Sequence, residues 1–331
     1  MAIGSGLGSQ VGFSAESTYG TRVAAAKFIR AKSYRADRAA ARVQGEGILA
    51  GNYGDLAAHY VETTNAGTGT MAFDVQDRGL GVIWNTLMGG TVTPSVVVTS
   101  SAYTASFPLA DTYGKAVTFN VGLPYRSGTA ISHELAGSKI IAAEFSCAQG
   151  GVLECSIDLD AKSWTDGQAV PTASYPTQAA PFTFRDMAVK TGTYNSESVV
   201  SGVRAMTCRI ERPHDVEDYT ANNAGAKSEP VLNGPTQITG TIEADWLAKA
   251  DFQDKANGTT STSLLFEWVQ ATAYTASNFP TFRIQLPGAL FEPATQGVEG
   301  RDALTNTWNY RWSYDGTNQP RIFILSPDSA L

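Results

Sequence analysis

The sequence predicts a mainly β protein built from two tandem copies of one domain, each a β-sandwich or barrel with one short flanking α-helix. Three observations carry this expectation. The chain has 331 residues, more than a single core usually organises. Charged residues make up only 17%, the polar remainder is Thr, Ser, Asn, Gln and Gly, and there are 13 Tyr and 14 Phe, a mixture that suits a pleated, half-buried surface. Short segments also recur in the same order along the chain.

The recurrence starts with Thr68-Gly69-Thr70 ending on Asp74, matched by Thr239-Gly240-Thr241 ending on Asp245. The copies stand 171 residues apart (239 − 68 = 171). Ala102 to Ser106 recurs as Ala273 to Ser277 at the same offset, and Phe107-Pro108 recurs as Phe279-Pro280. Thr118-Phe119 with Leu123-Pro124 recurs as Thr281-Phe282 with Leu286-Pro287. Between the first two matches a helix is expected in each copy. In the first, Asp74 or Asp77 caps a helix carrying Leu80, Ile83, Trp84, Leu87 and Met88 on one face, stopped by Gly89-Gly90. In the second, Asp245 caps a shorter helix carrying Leu247, Ala250 and Phe252, stopped by Asn257-Gly258.

The remaining segments read as strands. Lys139 to Cys147 alternates, with Ile141, Ala143, Phe145 and Cys147 inward, and Leu153, Cys155, Ile157 and Leu159 continue the apolar face after Gly150-Gly151. Keeping both sets on one face requires an odd connection of about three or five residues, unless a bulge resets the parity. Ser201 to Ile210, Thr305 to Tyr314 and Arg321 to Leu325 complete the set, with Trp308, Tyr310, Trp312 and Tyr314 on one face. The domain plan is an N-terminal arm at 1–27, a first domain at 28–167, a linker at 168–181 marked by Pro171, Pro176 and Pro181, and a second domain at 182–331. Two long polar insertions occupy matching places before the Thr-Gly-Thr strands. One spans Arg35 to Asp55, with Arg38, Arg42 and Glu46; the other spans Arg212 to Pro235, with His214, Asp215, Glu217, Asp218, Tyr219 and Lys227. Loops of that length are usually functional or ordered by a partner.

Chemistry is sparse. Gly4, Gly6 and Gly8 have no strand before them, so they do not make a dinucleotide loop. His59, His133 and His214 are scattered, Ser5 and Ser9 lie in no nucleophile elbow, and Cys147, Cys155 and Cys208 are in no CxxC spacing. Asp158 and Asp160 share a strand face and are the one carboxylate pair placed for hydrolysis, with a solvated strand face as the plainer reading. No metal site, cofactor site or catalytic residue is expected. A net charge of −7 argues against a phosphate grip. The opening residues carry no secretory signal pattern, and no apolar run is long enough for a membrane helix, so folding in a cytosol is the expectation.

The stretch Gly6 to Thr21, the hairpin Gly137 to Asp160 and the Thr-Gly-Thr strand ending on Asp resemble the tail tube proteins of siphophages, the long-tailed bacteriophages, in a tandem-duplicated form. The resemblance implies a virion structural protein, assembled in the host bacterial cytoplasm, whose rings join their inner strands and stack into a tube. It implies a tape measure protein in the lumen, tail terminator and distal tail or baseplate proteins at the ends, and DNA that passes through without specific binding. The family's usual six domains per ring would come from three chains of two domains. Arg35, Arg38, Arg42, Arg212, Asp215, Glu217, Asp218 and Tyr219 are then candidate inter-ring contacts, and Glu154, Asp158 and Asp160 candidate lumen residues. Alternative readings are another tail, baseplate or capsid decoration protein, a carbohydrate-binding adhesin using Trp308 and Trp312, or a β-rich hydrolase using Asp158 and Asp160.

Overall fold

The computed structural model describes residues 6–47, 53–98, 101–124, 130–177, 179–275, 277–293 and 304–331. Gly4, Ser5, Ala276 and part of the Arg35–Asp55 insertion lie outside the described residues. The fold is mainly β, with all eighteen described strands connected in one sheet. The first half contains β1 (Gln10–Glu16), β2 (Lys27–Ile29), β3 (Ala31–Gln44), β4 (Tyr60–Asp74), α1 (Gly81–Met88), β5 (Ser95–Val98), β6 (Ala102–Pro108), β7 (Ala116–Pro124), β8 (Ala130–Ala148), β9 (Glu154–Ala161) and β10 (Ser163–Gln168). The second contains β11 (Met187–Thr193), β12 (Ser196–Val199), β13 (Val203–Glu211), β14 (Gln237–Asp245), α2 (Gln253–Asn257), β15 (Thr262–Val269), β16 (Thr281–Phe291), β17 (Thr305–Trp312) and β18 (Arg321–Ser326). The described residues among 169–180, between the halves, carry no strand or helix.

The antiparallel pairings of the two halves run in parallel lists. In the first, β1 pairs with β2 and β7, β3 with β4, β4 with β9, and β8 with β7, β9 and β10. In the second, β11 pairs with β12 and β15, β13 with β14, β14 with β17, and β16 with β15, β17 and β18. Thr68 faces Asp160 across one pair and Thr239 faces Arg311 across its counterpart. Among the described strands the β5–β6 hairpin has no counterpart. Two pairings cross between halves: β8 with β13, and β6 with β18. Only the Thr-Gly-Thr match falls on counterpart strands. Ala102 to Ser106 lies in β6, whereas 273–275 is outside any strand, and the Thr118 and Thr281 matches fall on β7 and β16, which differ in pairing.

Local chemistry explains the main departures from expectation. The hairpin β8–β9 keeps a constant sum of 300 from Ala142↔Asp158 to Ser146↔Glu154, with the five residues 149–153 connecting. A bulge between Ile140 and Ala142 then shifts the phase, so Ile140 is buried and Ile141 turns to the other face. The N-terminal segment is not a free arm throughout, because β1 pairs with β7 over its full length and buries Val11 and Phe13. Arg35 to Gln44 is strand rather than loop, paired along β4.

Both helices lack the expected aspartate caps. Asp74 and Asp245 end their strands, the residue before α1 is Leu80, and 246–252 is not helical. Gly89 does close α1, at φ 91°. Seven of the eight residues of α1 are buried, all but Asn85, because the helix is wedged between the halves. Trp84 lies 5.5 Å from both Phe145 of β8 and Phe282 of β16, and 6.2 Å from Phe73 of β4. One apolar cluster therefore runs through both halves.

Candidate functional site

The strongest polar constellation forms where the second half reaches over the first. β13 leaves the sheet after Glu211, and the 212–236 connection crosses the β8–β9–β4 surface. The Arg212 amide donates to the Ile141 carbonyl at 2.7 Å, continuing the β8–β13 ladder, and its guanidinium donates to the Ala110 carbonyl. His214 is fixed by the Arg212 carbonyl at Nδ1 (2.9 Å) and the Thr112 hydroxyl at Nε2 (2.8 Å). The carbonyl can only accept, so Nδ1 carries the proton and Thr112 donates to Nε2. Lys139 of β8 donates to the Thr112 carbonyl at 2.7 Å and to Glu229 at 2.5 Å. Glu229 also takes the Gly114 amide at 2.6 Å. Lys227 bonds Asp160 of β9 at 2.5 Å. At the loop's far end the Asn65 amide donates to the Gly225 carbonyl at 3.0 Å. Gly225 has φ +76°, and a Cβ there would come within 2.5 Å of the Thr63 carbonyl oxygen, so the loop closes on β4 only with glycine at this point.

Lys139, Asp160, Arg212, His214 and Lys227 are all buried. Burial lowers the Lys139 ammonium despite Glu229, and raises the Asp160 carboxyl despite Lys227. Burial also brings the Arg212 guanidinium down to about 10 and the His214 imidazole down to about 4, the latter helped by the charges of Lys139 and Arg212. Buried charges without partners cost several kcal/mol, so each ion pair here secures the loop's position as much as its energy.

The face of β9 away from the core is different. Glu154 pairs with Lys32, which also reaches Asp74 at 2.9 Å. Asp158 lies 3.4 Å from Arg209, whose guanidinium also meets Glu211 at 2.6 Å and Glu144 at 3.4 Å. A groove of about 280 Å³ opens beside them, lined by Ile141, Asp158, Arg209, Arg212, Pro213 and His214. Asp160 has the same strand parity as Glu154 and Asp158, but the 212–236 loop covers it. It is not an open wall residue, and its tie to Lys227 leaves no free carboxylate pair with Asp158.

The other expected residues fall in two groups. Arg35, Arg38 and Arg42 lie along β3, where Arg35 pairs with Asp37 at 2.8 Å and Arg38 and Arg42 meet Glu62 at 2.6 and 3.5 Å. These are exposed pairs of small energetic weight. Arg212, Asp215, Glu217, Asp218 and Tyr219 lie together in the crossing loop, but Arg212 is buried within the chain rather than offered to a neighbour. The Asp215 amide bonds the Val231 carbonyl, the Asp218 carbonyl takes the Ser228 amide, and Lys227 lies over the Tyr219 ring at 5.7 Å. The sequence did not single out Lys139 with Glu229 or Lys227 with Asp160 as pairs; a lysine at the head of an apolar alternation was the one available signal. Trp308 and Tyr310 are buried, which removes Trp308 from any sugar-stacking surface. The three cysteines are buried and free, and burial pushes the Cys208 thiol up to about 12. Among the described residues no group of His, Cys, Asp or Glu could hold a metal ion, and no helix is long and apolar enough to cross a membrane.

The two halves thus share one continuous sheet and one apolar cluster, with the crossing loop fastened by polar contacts. The family model for phage tail tube proteins matches residues 6–312, and the chain belongs to that family. It is accordingly a structural protein of the phage tail. No curated protein matches it.

Proposed function

We propose that this chain is a duplicated tail tube subunit of a siphophage, that three copies close into a ring of pseudo-sixfold symmetry, and that rings stack into a conduit for DNA ejection. The observation that carries the reading is an unpaired edge. In the second half, Ala205–Glu211 of β13 pairs with β8. Counting from Cys208↔Gly240 and Ala36↔Gly69, the counterpart residues on β3 are Ser33 to Ala39. Among the described strands β3 pairs with β4 alone, so this stretch keeps a row of open backbone donors and acceptors. An open edge of this kind is a template for another strand. Its natural partner is the second half of a neighbouring copy, which would repeat between chains the junction that β8 and β13 make within one.

The tape measure protein would occupy the lumen, with terminator and distal tail proteins at the ends. Glu154 and Asp158 would contribute acidic groups to the lumen wall in this reading, where like charge would keep DNA sliding. The test is electron microscopy of the purified full-length chain at rising concentration, with native mass spectrometry of the smallest ring. Stacked rings built on three chains support the reading. Rings of six chains overturn the stoichiometry, and a chain that stays monomeric overturns the tube.

A further inference from the structure

We propose that Lys139 and Glu229 become covalently joined in the folded chain, through an amide between Lys139 Nζ and Glu229 Cδ formed with loss of one water. The bond lies within one chain and does not rest on the ring reading above.

Four contacts lay out this amide in advance. The Lys139 ammonium donates to Glu229 Oε1 at 2.5 Å, which places Nζ beside the oxygen bonded to Cδ. It also donates to the Thr112 carbonyl at 2.7 Å. Glu229 Oε1 in turn takes the Gly114 amide at 2.6 Å. The Tyr19 ring covers the nitrogen, with its centroid 5.5 Å from Nζ. Once Nζ and Cδ are joined, the one remaining N–H keeps Thr112 as its acceptor, and the carbonyl oxygen keeps Gly114 as its donor. Both polar groups of the product are therefore satisfied by partners already in place. The ion pair instead holds an ammonium on a buried lysine, which costs desolvation. Condensation removes both charges.

Reactivity follows from the same contacts. Burial lowers the Lys139 ammonium despite Glu229, and a desolvated lysine is a ready nucleophile. The Gly114 amide meets the oxygen on which negative charge develops. One proton passes from Nζ to Glu229 Oε2. The Nζ lone pair adds to Cδ, and the carbonyl electrons move to Oε1. The carbonyl then re-forms as the Cδ–Oε2 bond breaks, and Oε2 leaves as water with a second proton from Nζ. The third proton stays as the amide N–H. The step consumes no oxidant, reductant or co-reactant. The Glu229 side chain is 13% exposed against 1% for Lys139, so the water departs on the glutamate side.

The neighbouring pair lacks this arrangement. Lys227 meets one oxygen of Asp160, and the other oxygen is buried with no hydrogen-bond partner. Among the described residues no backbone amide donates to the Asp160 carboxylate, so this pair stays ionic. The Lys139–Glu229 bond would span 90 positions and fasten the crossing loop of the second half to β8 of the first.

The test is intact-mass spectrometry of the full-length chain. Chain isolated in denaturant, where the two residues are not held together, should keep its full mass. After refolding and incubation it should be one water lighter, and renewed denaturation should not restore the water. Protease digestion should release a linked pair of peptides carrying Lys139 and Glu229. Lys139→Arg keeps the charge without a nucleophilic amine and should retain full mass, while Lys227→Arg should still lose the water. A folded wild-type chain that keeps its full mass would overturn the proposal. So would a link mapped to other residues, or a folded Lys139→Arg chain that still loses water. If Lys139→Arg does not fold, the wild-type mass and peptide map decide alone.

Discussion

Lys227 and Asp160, 67 positions apart, form a buried ion pair that holds the second half's crossing loop on the first half's sheet. Lys227 is 4% exposed and Asp160 2%. Removing one partner strands the other charge. Lys227→Met is expected to cost roughly 3–5 kcal/mol, while Lys227→Met with Asp160→Leu should recover most of that loss. Urea unfolding of the three chains measures both figures, and equal losses in single and double variants would rule the pairing out as the cause.

The same loop makes stability sensitive to acid through His214. Its imidazole is depressed from 6.5 to about 4 in the fold. The unfolded chain therefore binds the extra proton first, and stability should fall as pH drops from about 6.5 toward 4, with nothing lost above that window. The loss is on the order of 3 kcal/mol once the window is crossed. Asp160 acts in the opposite sense, because its raised carboxyl takes up a proton more readily in the fold. Comparing melting temperature against pH for wild type and His214→Asn isolates the histidine's part; a variant with the same slope would contradict it.

Trp84 joins the two halves through Phe73, Phe145 and Phe282. Trp84→Ala should cost about 3–5 kcal/mol. The core is shared, so loss should appear in both halves at once. Hydrogen exchange would show β9 and β16 amides weakening together; protection lost in one half alone would argue for independent cores.

Glu154→Lys with Asp158→Lys reverses charge on the proposed lumen wall without touching the core. Both residues stand on the outward face of β9. DNA ejection should slow while tube length stays normal, measured by dye-reported ejection from virions and by tail length in micrographs. Unchanged ejection would place the lumen on another face.

Much of the fold was legible because strand parity and helix spacing are local. The β8–β9 hairpin register, the odd connection and the inward set of Cys155, Ile157 and Leu159 all follow from alternation and turn length. The Gly89 stop of α1 follows from a left-handed backbone that glycine adopts at low cost. The candidate site was less legible. Arg35, Arg38 and Arg42 read as loop because a strand exposed on most of its length has no apolar alternation to reveal it. Arg212 is buried rather than open to a neighbour, and nothing near it in sequence signals that its guanidinium meets the Ala110 carbonyl.

By itself, then, the sequence determined the β class and the β8–β9 register, both of which depend on neighbours within a few residues, and it showed the recurring Thr-Gly-Thr segments by residue identity. Only the tertiary structure decided which strands correspond between halves, that Asp160 is covered while Asp158 is open, and that Asp160 and Arg311 occupy matching places. Those facts depend on long-range pairings, and a one-residue bulge or a crossing loop changes them without any mark in the local pattern.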